Sequence, residues 1–280
     1  MVPVFNAERT LRRCVESVQV AGCDEVLLVD DGSGDTTAAM LDELAVAGHT
    51  VLRHAFNRGP AAARNRGARA ATSDWLIFLD ADDVLDPDAL RVFSEHIEEH
   101  RALVRARFSR MDDPSRRARP GFLAGTFAVR RDLFDAAGGY DQHLRYAENS
   151  ELLVRLEATL TRLGLTYSEA AEATVAIESS GESRNYDENR FEAAIRILEV
   201  HGDRLTGAER GRYQAIASVN AARTGRSREA RAYAWRAVRN DPRNHRHLAR
   251  FTAFSFGSLG QSAWLARRSA ESPRPSGEKP

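Results

Sequence analysis

Lysine, cysteine and long apolar runs are scarce in this 280-residue sequence, and each shortage excludes a class of protein. Lysine occurs only at Lys279, in a Pro/Ser/Gly segment. A P-loop lysine, a kinase strand lysine, a Schiff-base lysine and a Ser-x-x-Lys nucleophile are therefore all excluded. Any phosphate chemistry has to use arginine, backbone amides or a metal ion. Cys14 and Cys23 are too few for a disulfide framework or a zinc cage.

The lack of a long apolar run predicts a cytoplasmic protein. The longest such run, residues 75–79, has five residues, whereas a membrane helix needs about 20, and no signal peptide opens the sequence. Basic and acidic side chains number 40 each, so the formal net charge is zero. That balance lacks the basic footprint of a nucleic-acid binder. With 42% hydrophobic residues, the chain can bury a core.

The first half of the sequence alternates short apolar runs with helical patterns, which is typical of βαβ units in a mostly parallel sheet. Strands are expected at 2–5, 26–29, 51–54, 75–79 and 103–108, and a helix at 148–163. Asn6 is a fair N-cap for the first helix, and Pro60 and Pro87 are good first residues for later ones, the last of which would run to His100. We therefore predict an α/β domain over residues 1–180.

Past about residue 185 the pattern is helical only. Helices are expected at 187–200, 207–223, 226–239 and 244–256. The unit 225–244 resembles a helical hairpin of the tetratricopeptide kind. We expect this all-helical extension, residues 186–268, to pack on the first domain, and residues 269–280 to form a disordered tail.

Carboxylates follow two of the expected strands, at the edge where open parallel sheets bind ligands. Asp30 and Asp31 end one strand, and Asp80, Asp82 and Asp83 end another. Like charges this close repel each other unless a cation compensates them. Carboxylate oxygens suit Mg²⁺ or Mn²⁺, which also bind phosphate oxygens. The second group therefore favours a divalent metal site over the alternative that these acids only cap helices.

A series of short motifs resembles the inverting glycosyltransferases of family 2 over roughly residues 1–155. In order, the motifs are Pro3-Val4-Phe5-Asn6, Val29-Asp30-Asp31-Gly32-Ser33, Asn57-Arg58-Gly59, Ala63-Arg64-Asn65, Phe78-Leu79-Asp80-Ala81-Asp82-Asp83 and Gly138-Gly139-Tyr140-Asp141. The resemblance implies a GT-A fold, in which a Rossmann-like, mixed and mostly parallel sheet with flanking helices binds a sugar nucleotide. It also implies sugar transfer with inversion from a uridine-diphosphate sugar to a glycan, lipid or protein hydroxyl, as in polysaccharide or glycoconjugate biosynthesis.

The resemblance further implies which residues bind the nucleotide. Asp31 would accept a hydrogen bond from the uracil N3–H, which favours uridine over cytidine. The backbone at Pro3, Val4 and Phe5 would flank the base, and Asn57 belongs to the same binding set.

For the diphosphate, the resemblance implies a metal ion held by carboxylates. Asp82, helped by Asp80 or Asp83, would bind Mg²⁺ or Mn²⁺, which neutralises the charge on the leaving group. Arg58 or Arg64 would assist in place of lysine, and the alternative for Arg64 is a structural role within its helix.

The sequence departs from the family pattern at the catalytic base. Asn149 stands at the position of the base, and an amide has no lone pair basic enough to deprotonate a hydroxyl. Glu148 and Glu151 lie on one helical face, so either serves as the base after a small shift or both are solvated helix carboxylates. The metal-site histidine of many relatives is absent from 175–181. The alternative to an enzyme is therefore a nucleotide-sugar binder or scaffold that has lost its base.

Two further stretches have alternative interpretations. Residues 105–119 hold six arginines, which predicts a loop over the active site, with a grip on a phosphorylated acceptor as the alternative. Apolar residues recur over 251–264 and precede Arg267 and Arg268. That stripe favours packing on the first domain over peripheral contact with the inner face of a membrane or with a protein.

Overall fold

The computed structural model describes residues 1–113, 115, 117–144, 146–178 and 186–271, without the side chains of 186 and 267–271. The chain divides into two compact units, Met1–Gly181 and Glu182–Pro280. None of the described helices combines the length and the hydropathy that crossing a membrane requires.

Parts of three predicted segments lie outside the described residues. They are Arg116 of the arginine-rich run, residues 179–181 of the stretch without histidine, and residues 272–280 of the tail. The first residues of that tail, 269–271, belong to the last helix, which ends at Glu271.

Strands and helices alternate through the first 77 residues, as the sequence predicts, and follow one another less regularly in the rest of the first unit. Its elements are β1 (Val2–Val4), α1 (Leu11–Ala21), β2 (Leu27–Asp30), α2 (Thr37–Val46), β3 (Thr50–Arg53), α3 (Pro60–Ala70), β4 (Trp75–Ile77), β5 (Val84–Leu85), α4 (Ala89–Ser94), β6 (Arg101–Arg110), β7 (Arg119–Pro120), β8 (Phe127–Arg130), α5 (Arg131–Ala136), α6 (Glu148–Leu163) and β9 (Thr166–Ile177). Leu28 and Val29 of β2 are fully buried, as expected of a parallel strand covered on both faces.

The strands form a parallel sheet and a mixed one, joined by the first residue of the chain. Strands β1, β2 and β3 are parallel neighbours in that order. The second sheet has the order β4-β8-β6-β9-β5, with β7 on β6, and its pairs are antiparallel except for β6–β9. The Met1 ammonium donates to the Ile77 carbonyl at 2.9 Å, and the Leu79 N–H donates to the Met1 carbonyl at 3.0 Å. These two bonds set β4 beside β1 in the same direction, so β1, β2 and β4 end at one edge.

The first helix begins later than the sequence predicts. Thr10, not Asn6, is its N-cap, and Leu11, Val15 and Val18 of this helix are buried in the core. Asn6 has a left-handed backbone (φ 48°), and its side-chain oxygen accepts a hydrogen bond from the Gly34 N–H at 2.9 Å. The residue therefore ties the loop after β1 to the loop after β2 instead of capping a helix.

The prediction is also wrong in part between residues 87 and 177. Helix α4 ends at Ser94, short of His100, and the arginine-rich segment is partly strand, because β6 continues to Arg110 and β7 begins at Arg119. Strand β9 was not predicted. Only three of its twelve side chains, those of Ala170, Thr174 and Val175, are buried, so its hydrogen bonds to β6 and β5 hold it where an apolar pattern is missing.

The second unit is helical, as predicted. Its described elements are α7 (Tyr186–His201), α8 (Gly207–Arg223), α9 (Ser227–Asn240), α10 (His245–Ser255) and α11 (Gly257–Glu271). Helices α8 and α9 form a hairpin in which the Ser218 hydroxyl donates to the Ala230 carbonyl at 2.8 Å. Small residues let the two helices approach closely, since Ala217, Ala221 and Ala234 are fully buried. The assignment of residues 225–244 to a tetratricopeptide-like unit stays a prediction.

The apolar stripe 251–264 has a buried part and an exposed part. Phe254 is fully buried and meets Trp264 edge-to-face at 6.3 Å, so these two rings belong to the core of the helical unit. Phe256 and Leu259 are 74% and 83% exposed, and they therefore add nothing to that core.

Replacing a buried alanine of the hairpin tests this packing. Ala234→Leu inserts a larger side chain at a fully buried position, and we expect it to lower the free energy of unfolding by about 1–3 kcal/mol. Ala232→Leu, on the exposed side of α9, is the matched control and should change stability little. Thermal denaturation followed by circular dichroism measures both, and equal midpoints would contradict the close α8–α9 packing.

Candidate active site

A cleft of about 630 Å³ opens at the edge where β1, β2 and β4 end. Among the predicted site residues, those that line it are Pro3, Val4, Phe5, Asn57, Asp31, Asp80 and Asp82. The cleft thus brings together the predicted base-binding segment, the acid after β2 and two acids of the predicted metal site. Arg9, which the sequence analysis did not single out, also lines the cleft and adds a positive charge to it.

The Asp31 carboxylate is fixed by three hydrogen bonds from the segment after β3. His54 Nδ1 lies 2.6 Å from Asp31 Oδ1, the Arg58 N–H donates to the same oxygen at 3.0 Å, and the Gly59 N–H donates to Oδ2 at 2.7 Å. The side chains of Asp31 and His54 are 3% and 4% exposed. A carboxylate has about four lone-pair positions, so about one stays open toward the cleft.

The predicted role of Arg58 at the diphosphate stays a prediction. Its described contact with the site is made by the backbone N–H, and its side chain is exposed. His54 was missed because nothing in its local sequence marks it. The register of β2 and β3 explains the contact, since Asp30 lies opposite Arg53 and the next residues are Asp31 and His54.

Glycine at position 32 lets these two segments meet. Gly32 has φ 79°, and a Cβ there would lie 2.8 Å from the Phe56 carbonyl carbon and 2.9 Å from the Asn57 nitrogen. A side chain would therefore push the loop after β3 away from Asp31. On the other side, the Asn6 N–H donates to Ser33 Oγ at 3.1 Å. The Asp-Gly-Ser sequence after β2 is thus packed between both neighbouring loops.

The second acidic group forms a compact cluster after β4. One carboxylate oxygen from each of Asp80, Asp82 and Asp83 lies within 4.8 Å of the others. Burial, and then repulsion by Asp80 and Asp82, raises the pKa of Asp83 to about 8. Burial and the charge of Asp80 raise the pKa of Asp82 as well. Hard oxygen ligands that are short of positive charge fit a divalent cation such as Mg²⁺ or Mn²⁺.

Arg64 connects this cluster with helix α6. Its guanidinium is 2% exposed, and it donates to Asp80 Oδ1 at 2.5 Å and to Glu148 Oε1 at 2.8 Å. It also lies over the Tyr140 ring, 5.2 Å from the centroid. Burial acts to lower the pKa of Arg64, but the charges of Asp80 and Glu148 outweigh burial and raise it. Arg64 is therefore a structural residue of α3 that also touches the predicted metal cluster.

The first turn of α6 holds the three residues predicted around the base position. Glu148 accepts from Arg64, and its side chain is 12% exposed. Asn149 accepts at Oδ1 from the Tyr140 hydroxyl at 2.8 Å. Burial is the largest cause that raises the pKa of Tyr140, so the hydroxyl stays protonated and can donate.

Glu151 lies in a different arrangement from Glu148. It is 3% exposed and accepts from Arg155 at 2.7 and 2.5 Å. Arg155 also donates to the carbonyls of Ala137 and Gly139, at 2.5 Å each. The Glu151–Arg155 pair therefore anchors the loop that contains Gly138 and Gly139, the glycine-rich loop, to α6. None of Glu148, Asn149 and Glu151 is among the residues that line the cleft.

One arginine of the run 105–119, Arg105, contacts aromatic and acidic side chains of the first unit. Arg105 lies between the rings of Phe122 and Tyr167, 5.9 and 5.4 Å from their centroids. It also lies 3.6 Å from Glu157 and 3.4 Å from Glu169. Arg105 is therefore bound within strand β6 and is not part of a loop.

Removing the Asp83 carboxylate tests the raised pKa. Between an ordinary aspartate value of 3.8 and about 8, the folded chain keeps a proton that the unfolded chain has released. The free energy of unfolding of the metal-free protein therefore falls as the pH rises through this range. Asp83→Asn should lessen that fall, so its Tm near pH 8 should exceed that of the parent by a few degrees, at about 2–4 °C per kcal/mol.

Asp88→Asn is the matched control, because the Asp88 side chain is 67% exposed. Its Tm should depend on pH as that of the parent does. Equal pH profiles for the two variants would contradict a buried carboxyl with a raised pKa at position 83.

The chain is similar to known sugar-transferring proteins along both its sequence and its fold. The sequence profile of Glycosyl transferase family 2 matches residues 1–147 of 280. The succinoglycan biosynthesis protein ExoO of Rhizobium meliloti is 36% identical over 100 residues, which are 35% of this chain and 29% of ExoO.

Two solved structures share the fold at low sequence identity. TarS 1–349 of S. aureus in complex with UDP-GlcNAc is 16% identical, with a TM-score of 0.62 over 98% of this chain and 92% of that chain. The mannosyltransferase PcManGT from Pyrobaculum calidifontis, in complex with GDP-Man and Mn²⁺, is 18% identical, with a TM-score of 0.59 over 96% and 78%. These neighbours confirm the predicted α/β fold of the GT-A type. Since the family profile covers more than half of the sequence, the chain belongs to glycosyl transferase family 2.

Proposed function

We propose that this protein transfers a sugar from a uridine-diphosphate sugar to an acceptor hydroxyl, with inversion and with a bound divalent cation. The observation that carries the proposal is the cleft itself, which places a fixed acceptor, Asp31, and the Asp80–Asp82 acids on one rim. The unit that would act is the one predicted as residues 1–180. The complex of TarS with UDP-GlcNAc supports the same class of donor.

The contacts of Asp31 favour uracil over other bases. Three donors already bind the carboxylate, so it accepts and does not donate, and about one lone-pair position is left. Uracil presents one N–H between two carbonyl groups, whereas cytosine presents an acceptor nitrogen there. Guanine presents an N–H beside an amino group and would need two free positions. Asp31 therefore suits uracil best.

The acids after β4 would hold the cation and, through it, the diphosphate. Asp80, Asp82 and Asp83 are the ligands that we assign, and Mg²⁺ or Mn²⁺ bound there supplies positive charge to the leaving diphosphate. PcManGT, whose structure contains Mn²⁺, supports this assignment. Arg9 lies along the same cleft, where its guanidinium can bind phosphate oxygens.

Inversion needs a base on the side of the sugar opposite to the diphosphate. The acceptor oxygen bonds to C1 as the bond from C1 to the diphosphate oxygen breaks, and the acceptor proton passes to a carboxylate. We assign this proton to Glu148. Among the three candidates, Glu148 has a carboxylate and is linked to Asp80 through Arg64, whereas Asn149 is an amide and Glu151 is bound to Arg155.

The second candidate function is nucleotide-sugar binding without transfer. The observation that favours it is the state of the first turn of α6, where Asn149 has replaced the acid and both glutamates are ion-paired. In that case the cleft would bind UDP-sugars as the enzyme does, and no sugar would be transferred.

Calorimetry with UDP and CDP tests the donor site. In the presence of Mn²⁺ we expect UDP to bind more tightly than CDP, because uracil carries a hydrogen on ring N3 that Asp31 can accept and cytosine does not. Asp31→Asn should weaken UDP binding by about 10–100-fold, which corresponds to a hydrogen bond with a charged partner. Asp35→Asn, which also changes a cleft acid, should keep the preference for UDP. Equal affinities for UDP and CDP in the parent protein would contradict the proposal.

Variants in the first turn of α6 separate the enzyme from the binder. Glu148→Gln should lower kcat for UDP-sugar turnover by about 10²–10⁴-fold and leave UDP affinity unchanged. Glu151→Gln should instead lower the free energy of unfolding by about 1.5–3 kcal/mol, because it weakens the bond to Arg155. Turnover is measured as UDP release, and stability as the midpoint of thermal denaturation.

Asn149→Asp decides the case in which the parent protein has no turnover. The aspartate can keep the hydrogen bond from the Tyr140 hydroxyl and adds a carboxylate at the family's base position. If turnover appears only in this variant, the natural protein is the binder. If the parent transfers sugar and Glu148→Gln is fully active, the assignment of the base is wrong.

A further inference from the structure

The two units of the chain carry opposite charges. Residues 1–181 contain 21 basic and 29 acidic side chains, a formal net charge of −8, and residues 182–280 contain 19 basic and 11 acidic ones, a net charge of +8. The neutral total therefore conceals a strongly basic helical unit. Nothing in the proposed sugar transfer uses that positive charge.

Part of the charge is concentrated on one face of α9. The face, which we call the basic–aromatic face, is formed by Arg228, Arg231, Trp235 and Arg239 of α9 with Leu248 and Phe251 of α10. Its three arginines lie within about 40° of Trp235 around the helix axis, at 3.6 residues per turn. The Trp235 ring lies 5.0 Å from Phe251, so the two helices form the face together.

The apolar centre of this face is open to solvent. Trp235 is 46% exposed and Leu248 is 55% exposed. Both lie away from the core of the unit, which Ala230, Ala234 and Phe254 fill. Large apolar side chains that contact water within a polar rim are typical of an interaction surface.

The arginines of the face have no partners among the described residues. Arg228, Arg231 and Arg239 make no hydrogen bond or ion pair through their side chains there, whereas the nearby Arg223 is paired with Asp187 at 2.9 Å. The acid of α9, Glu229, lies about 120° away from Trp235 around the helix. The charge of the face is therefore available to an external anion.

We propose that the basic–aromatic face docks on the surface of an anionic phospholipid bilayer. Tryptophan prefers the boundary between headgroups and acyl chains, because its ring is apolar and its N–H is polar. Arginine side chains around it can reach lipid phosphates while their stems stay apolar. Leu248 adds an aliphatic group that gains from entering lipid and gains nothing from a soluble polyanion. The mode is that of an interfacial helix surface, which lies on the membrane without crossing it.

The strength of this contact follows from the number of arginines. Each basic residue close to an anionic bilayer changes the partition coefficient by about fivefold. Removal of three arginines should therefore reduce vesicle binding by about 100-fold. The contact should also weaken as salt is added, because the Debye length falls.

Vesicle sedimentation with the full chain tests the proposal. The probes are vesicles of phosphatidylcholine alone and vesicles of phosphatidylcholine with phosphatidylglycerol. The test variant combines Arg228→Gln, Arg231→Gln and Arg239→Gln. The matched control combines Arg69→Gln, Arg204→Gln and Arg212→Gln, which remove the same charge at exposed positions elsewhere. Circular dichroism shows whether both variants keep the parent's fold.

We expect the parent and the control to bind the anionic vesicles, the test variant to lose about 100-fold in affinity, and neutral vesicles to bind none of them. Trp235 fluorescence should shift to the blue with anionic vesicles, and Trp235→Phe should lose that shift while Trp75 and Trp264 remain. The proposal is overturned if the parent does not bind, if the two triple variants lose affinity equally, or if Trp235 fluorescence does not respond. Soluble polyphosphate that binds as tightly as the vesicles would overturn the lipid assignment in favour of a polyanion.

Discussion

The buried guanidinium of Arg64 joins the two parts of the candidate site, and the geometry of both depends on it. A positive charge at this depth is tolerated only when carboxylates and hydrogen bonds compensate for lost hydration. Asp80, after β4, and Glu148, at the start of α6, supply that compensation. Because a buried ion pair is costly to break, α3, the loop after β4 and the first turn of α6 are held in one arrangement. The predicted metal ligand and the proposed base are thus positioned by the same side chain.

Compensation is incomplete on the other side of the acidic cluster. Arg64 meets Asp80, whereas the pKa values of Asp82 and Asp83 are raised by burial and by their acidic neighbours. An uncompensated cluster lowers stability unless a cation or protons neutralise it. The Asp31 side chain differs, because it accepts hydrogen bonds from three fixed donors. The rim of the cleft therefore combines a rigidly held acceptor, Asp31, with an acidic cluster that lacks positive charge.

The sequence predicts the parts of this site that lie close together along the chain. Apolar runs located β1, β2, β3 and β4, and the acids that follow them could be assigned to one edge because parallel strands end together. Helix α6 was predicted with its observed bounds because its apolar period is regular.

The sequence does not predict contacts between segments that are distant along the chain. The His54–Asp31 bond depends on the β2–β3 register, and β9 is defined by pairing with β6 and β5 rather than by its side chains. The Glu151–Arg155 pair, with its i,i+4 spacing, was open to sequence reasoning. The spacing does not predict that Arg155 also holds the glycine-rich loop.

The central claim is that the acidic cluster and a nucleotide share one cation, and electron paramagnetic resonance of free Mn²⁺ tests it most directly. We expect the chain to bind one equivalent of Mn²⁺, which removes that much of the free signal, and to bind it more tightly when UDP is present. Asp82→Asn should abolish this uptake. An unchanged Mn²⁺ signal with and without UDP would contradict it.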